Sequence, residues 1–202
     1  MPTSERFDAA VALALEDFRH VHRKGGSIPY MTHLLAVTAL VGEAGGDEDQ
    51  LIAAVLHDWL EDIGHATPFV LESRFGLRVR RLVEALSDSV VLPKPPWRAR
   101  KERYVAQLRE EPDEVRLISC ADKLHNSRSL VRDVRLHGPS TLSRFRGGLQ
   151  GTLWYYHSVH AALANGWSHW LLDELDNEVE TLHGLLAVSR GNAVVPEVEC
   201  SS

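Results

Sequence analysis

The stretch Ala53-Ala54-Val55-Leu56-His57-Asp58-Trp59-Leu60-Glu61-Asp62 sets the tightest limit on how this chain can fold. Its apolar residues recur at helical spacing on one side, and His57, Asp58, Glu61 and Asp62 fall on the other. A His-Asp pair in so apolar a segment either faces water or has partners for both side chains, because a buried unpaired charge is costly. One divalent ion can partner both. A fold that buries this segment must therefore bring further donors to it from elsewhere in the chain.

The rest of the chain reads as helices joined by short loops. Ser4 caps a helix running to about Val21, with Phe7, Ala10, Val11, Leu13, Leu15 and Phe18 on its apolar face. Gly25, Gly26 and Pro29 make Arg23 to Tyr30 a loop. A second helix carries Thr32 to Val41 and ends in Gly42 to Gly46. Asp47 caps a third, expected to run unbroken to about Ile63 through the central stretch. Thr67-Pro68 opens a fourth, which reaches about Ser87 with a break near Gly76. Val90 to Pro96 is a proline-rich loop, and Trp97 to Glu110 is an amphipathic helix. Pro112 and Asp113 open the next helix, and Gly138-Pro139 end it. Ser140 to Asn165 is helical with an irregularity at Gly147-Gly148, and Ser168 to about Ser189 forms the last helix. No alternating strand pattern and no internal repeat is present. The expectation is an all-α fold, a single bundle of about eight helices over residues 1–190, followed by a flexible tail over 191–202.

Charge and composition exclude several classes. A net charge of −6 argues against nucleic-acid binding. Basic residues nonetheless gather at Arg23-Lys24, Lys94 to Arg103 and Lys123 to Arg135, which suits a small anion. No apolar run approaches the roughly 18–20 residues of a membrane helix. Met1 to Arg6 shows no signal-like segment, and Cys120 and Cys200 do not suggest a structural disulfide, so a cytoplasmic location is expected.

Four positions are candidate metal ligands: His33, His57, Asp58 and Asp122. Neighbouring residues on a helix diverge by about 100°, so an ion shared by His57 and Asp58 sits between their directions and draws other ligands from other helices. Two imidazoles and two carboxylates suit a six-coordinate ion such as manganese or ferrous iron better than structural zinc. Glu61 and Asp62 follow one turn later, where carboxylates can orient water, take its proton, or supply one to a leaving group. Asn126 lies at i+4 from Asp122, on the same helix face. Lys123 and Arg128 read as a solvated face, and Trp167 and Trp170 as core.

These residues carry a resemblance. His33, His57-Asp58 and Asp122 resemble the H…HD…D signature of the HD phosphohydrolase superfamily. Three longer segments resemble motifs of its RelA/SpoT-type alarmone hydrolases. Arg23-Lys24-Gly25-Gly26-Ser27-Ile28-Pro29-Tyr30-Met31-Thr32-His33 is similar to RKG-x-PYI-x-H, His57 to Asp62 to HD-x-x-ED, and Cys120 to Arg128 to LAD-[KR]-LHN-x-R. The resemblance implies removal of the 3′-pyrophosphate from guanosine 3′,5′-bis(diphosphate) or the pentaphosphate, giving GDP or GTP plus pyrophosphate, with Mn2+ or another divalent ion such as Fe2+. It implies His33, His57, Asp58 and Asp122 as metal ligands and Glu61 and Asp62 as catalytic groups. Arg23, Lys24, Asn126 and Tyr155 would bind the nucleotide, with Trp154 or Tyr156 as alternatives to Tyr155. Lys94 and Lys101, with Arg98, would hold outer phosphates. The chain has the length of a small stand-alone hydrolase, whose partner is the small-molecule alarmone. Trp and Leu side chains near the last helix leave a homodimer face open as a reading beside core packing. The alternatives are an HD-type enzyme for another nucleotide, including the 2′-phosphate of a nicotinamide dinucleotide, and a non-catalytic alarmone-binding regulator.

Overall fold

The computed structural model describes residues 3–89 and 93–191, with side chains to residue 187. Among the described residues the chain forms α1 (Glu5–Asp17), α2 (Met31–Glu43), α3 (Glu48–Val55), α4 (Trp59–Asp62), α5 (Pro68–Phe75) and α6 (Leu77–Leu86). There follow α7 (Trp97–Leu108), α8 (Asp113–His137), a 3-10 turn (Pro139–Arg144), α9 (Gly148–Leu163) and α10 (Trp170–Gly191). The fold is all-α; of the expected tail over 191–202, Gly191 ends α10 and 192–202 lie outside the described residues. Among them no helix is long and apolar enough to cross a membrane.

Local chemistry sets the helix ends. Ser4 Oγ accepts from Arg6 N–H. Asp47 and Gln50 form a reciprocal capping box at α3. Thr67 caps α5 ahead of Pro68. Gly76 separates α5 from α6 at φ +91°, a backbone state that side chains with a Cβ disfavour. α8 is the central helix and packs on α2, α3, α6, α9 and α10. It buries Val115, Ile118, Cys120, Ala121, Leu124, Val131 and Val134 around much of its circumference, as a helix enclosed by neighbours does. Trp97 seats α7 on α9: a Cβ on Gly147 or Gly151 would come within 2.6 or 3.1 Å of its ring.

Two expectations need correction. The third helix is not continuous but stops at Val55 and restarts at Trp59, which with the expected break at Gly76 divides the bundle of about eight helices into ten segments among the described residues. An unbroken helix would spend the Ala54 carbonyl on the Asp58 N–H. Here that oxygen lies 2.7 Å from His57 Nδ1, and Trp59 N–H turns to Leu56 O at 2.9 Å. Trp170 is 40% exposed rather than core, while Trp167 is half-buried against the core.

Candidate metal centre and its surround

The break in the third helix builds the centre. A carbonyl only accepts, so Nδ1 of His57 carries the hydrogen toward Ala54 O and Nε2 points the other way. His57 Nε2 lies 3.0 Å from Asp58 Oδ2 and 3.6 Å from Asp122 Oδ1. His33, in the first turn of α2, brings its Nε2 to 3.2 Å from Asp122 Oδ1 and 3.7 Å from Asp58 Oδ2. All four side chains named from the sequence therefore meet, on α2, α8 and the α3–α4 turn.

The donor set fits a divalent ion. Both Nε2 atoms are buried with no hydrogen-bond partner, although carboxylate oxygens crowd them. Adjacent ligands on roughly 2.1 Å bonds stand about 3.0–3.4 Å apart in octahedral or tetrahedral arrays, close to the separations seen here. The His33, His57 and Asp58 donor atoms lie within 4.8 Å of one another. Proton affinities report the same crowding. Burial would lower the His57 pKa, but the Asp58 and Asp122 carboxylates raise it well above the usual imidazole range. Burial would raise Asp58 and Asp122, yet His57 and His33 beside the first, and Lys123 with both histidines beside the second, hold them well below the carboxylate range.

Further side chains brace the ligands. Tyr30 Oη donates to Asp58 Oδ2 at 2.6 Å, and its ring stacks on Phe18. Asn126 Nδ2 donates to Asp122 Oδ1 at 2.5 Å while its Oδ1 accepts from Arg23 Nη2 at 2.5 Å. His33 Nδ1 is 2.7 Å from His125 Nδ1. Lys123, expected on a solvated face, is buried and ion-paired with Asp122. Arg128 is exposed and pairs with Glu174, as a solvated residue would.

Next to the centre sit the two acids. Glu61 accepts from Lys94 Nζ at 3.0 Å, and Asp62 lies 3.7 Å from the same ammonium. Burial, then the Asp88 and Asp58 carboxylates, raise the Glu61 pKa; burial, then Asp58, raise that of Asp62. Asp88 is buried, pairs with Arg100 and with Lys101 Nζ at 2.7 Å, and donates its N–H to Glu61. Lys101 also lies 4.7 Å over the ring of Tyr155, a buried residue whose hydroxyl has no partner. Arg98 lies over the Trp154 ring at 3.3 Å. Lys24 is exposed on the glycine loop, close enough for its charge to act on Asp62. A surface cleft of about 370 Å³ between α7 and α9, lined by Val105, Ala106, Trp154 and Ser158 among others, holds none of the ligand or acid groups.

Sequence reasoning missed Tyr30, His125, Asp88, Arg100 and the pairing of Lys123. His125 and Tyr30 lay inside quoted motifs, and a polar residue within reach of a named ligand was the available signal. Asp88 and Arg100 meet across a loop, and no local pattern marks that contact.

Comparison with known proteins follows the geometry. An HD domain model matches residues 10–142. The guanosine-3′,5′-bis(diphosphate) 3′-pyrophosphohydrolase MESH1 of Mus musculus is 36% identical over 133 residues, 62% of this chain and 72% of that protein. A probable GTP pyrophosphokinase of Mycobacterium leprae is 37% identical over 123 residues, 59% of this chain but only 15% of its own length. A solved metazoan ortholog of SpoT that hydrolyzes ppGpp superposes with TM-score 0.75 at 26% identity, over 92% of this chain and 99% of that one. The family match spans His33, His57, Asp58 and Asp122 together, and the chain belongs to the HD-domain family, in its RelA/SpoT branch.

Proposed function

We propose that the chain is a metal-dependent hydrolase that removes the 3′-pyrophosphate of guanosine 3′,5′-bis(diphosphate) and of the pentaphosphate. The observation that carries the hydrolase reading is the meeting of His33, His57, Asp58 and Asp122 around two buried, unpartnered Nε2 atoms, with two acids beside them. The substrate reading is supported by the printed activity of MESH1 and of the metazoan SpoT ortholog. His33, His57, Asp58 and Asp122 would hold the ion, with Mn2+ as the proposed metal and Fe2+ as the alternative. When bound there, a divalent ion supplies positive charge to a phosphoryl oxygen and acidifies water.

The chain's own groups account for the rest. Water attacks the phosphorus attached to O3′, the P–O3′ bond breaks, and its electron pair stays on O3′, which takes a proton. The products are GDP or GTP with a free 3′-hydroxyl, and pyrophosphate. Glu61 and Asp62 share the two proton transfers, removal from water and delivery to O3′, and the upward shift of both pKa values favours holding and passing a proton. Arg23, oriented by Asn126 and Tyr30, and Lys24 supply positive charge from the glycine loop. Lys94, paired with Glu61, and Lys101, paired with Asp88, would neutralise the charge of the departing phosphates. Tyr155, with its free hydroxyl under Lys101, completes the substrate contacts. Such a substrate goes with a cytoplasmic location. A homodimer face would draw on the exposed Trp170 at the start of α10, and light scattering would show it as twice the mass of one chain.

The test is product analysis with Mn2+-loaded protein on a nucleotide panel. Equimolar GDP and pyrophosphate from the bis(diphosphate), lost in Asp58→Ala, support the reading. Turnover of a nicotinamide dinucleotide 2′-phosphate alone moves the assignment to another nucleotide, and tight alarmone binding without product makes the chain a regulator.

A further inference from the structure

His125 has no role in the reaction set out above, yet it touches the ligand set. It stands three residues after Asp122 and one before Asn126, so one face of α8 carries all three. Its Nδ1 is 2.7 Å from His33 Nδ1, with ring centroids 4.8 Å apart and a 37° tilt. One hydrogen fits between two nitrogens at that separation. The far nitrogen of His33, Nε2, is buried, unpartnered and 3.2 Å from Asp122 Oδ1. A neutral imidazole has one N–H and one lone pair, so a lone pair at Nε2 requires the hydrogen at Nδ1.

We propose that His125 is the positioning residue of His33: its Nδ1 accepts the hydrogen of His33 Nδ1, fixing the ring and keeping Nε2 open as a metal ligand. His57 meets the same need with a backbone oxygen, Ala54 O at 2.7 Å. Each ligand imidazole thus has an acceptor behind it and its Nε2 in front. An acceptor imidazole orients a metal ligand as a carboxylate or carbonyl does. Unlike a carboxylate, it adds no negative charge to a centre that already holds Asp58 and Asp122. In the reverse arrangement His125 donates, His33 Nε2–H faces Asp122, and the two rings form only a structural pair.

The assignment rests on reading His33 as a metal ligand. The experiment is Mn2+ titration of the full chain, with free Mn2+ followed by electron paramagnetic resonance, in wild type, His125→Ala, His125→Asn and His125→Gln. Circular dichroism in EDTA monitors the fold. An Asn oxygen sits where Nδ1 sits, and a Gln oxygen overreaches it. The expected result is a Kd weakened about 10- to 100-fold in the Ala and Gln variants and recovered to within about threefold of wild type in Asn. Unchanged binding in His125→Ala, or equal behaviour of Asn and Gln in binding or folding, overturns the assignment. If His125→Ala fails to fold, the Asn–Gln contrast decides. Wild type that binds no Mn2+ overturns the metal reading itself, a different outcome from wild type that binds with all variants equal to it.

Discussion

Replacing Lys123 by Met keeps the aliphatic stem but removes the charge that faces Asp122. Lys123 is 9% exposed and Asp122 6%, so the carboxylate is left buried. Removing one member of a buried pair costs about 3–5 kcal/mol, because the remaining charge is uncompensated. Here Asn126 still donates to Asp122 Oδ1 at 2.5 Å, and His57, with its raised pKa, holds a proton nearby in the metal-free protein. Both effects place the expected loss near the lower end, about 3 kcal/mol in EDTA. A bound cation supplies positive charge to the same carboxylate, so with saturating Mn2+ the loss falls to about 1–2 kcal/mol. Urea unfolding of both proteins in both conditions reads the difference. With an m-value of about 2–3 kcal/mol/M, the EDTA midpoint drops by roughly 1 M at unchanged m. A drop below about 0.3 M in EDTA, or equal losses with and without Mn2+, refutes the argument that Lys123 balances a ligand charge.

Three further outcomes follow from the same geometry. Glu61→Gln abolishes turnover and raises stability at pH 8: the folded pKa of Glu61 is raised, so its ionised form opposes folding once the pH exceeds both the unfolded value, about 4.3, and the folded one; a lower urea midpoint than wild type at pH 8 contradicts this. Asp88→Asn removes a negative charge that raises the Glu61 pKa, so the acid limb of the pH–rate profile moves to lower pH; a limb that stays or moves upward rejects that coupling. Gly25 has φ +81°, and a Cβ there would lie 2.6 Å from Arg144 Cδ, so Gly25→Ala strains the loop that carries Arg23 and Lys24 by roughly 1–2 kcal/mol; KM for the nucleotide rises several-fold, and an unchanged KM removes the loop from substrate binding.

Much of the helical frame was legible in the residues, because caps and glycines act locally. Ser4, Asp47, Thr67-Pro68, Gly76 and Gly138 mark helix boundaries close to where they occur. The break at Leu56-His57-Asp58 was not legible, since the apolar period runs through it without Gly or Pro. Its cause is a side chain competing for a backbone carbonyl, which helical spacing does not encode. Of the four candidate ligands, His57 and Asp58 were legible because a buried His-Asp pair demands partners, whereas His33 and Asp122, among 11 histidines and 28 acidic residues, stood out through motifs that resemble those of the HD family. Lys123 was misread because adjacent helix residues rarely face one another, and its ammonium folds back onto Asp122 only where surrounding helices close over both. The Asp88–Arg100–Lys101 group joins two sides of a loop, a contact that arises only in the folded chain.

The central claim is that four side chains from three separate segments bind one ion. A crystal grown with Mn2+ and measured near the manganese absorption edge tests it most directly. The account predicts one anomalous peak per chain, within about 2.0–2.4 Å of His33 Nε2, His57 Nε2, Asp58 and Asp122. A chain saturated with Mn2+ that shows no peak there, or a peak that leaves the two histidine Nε2 atoms unligated, contradicts it.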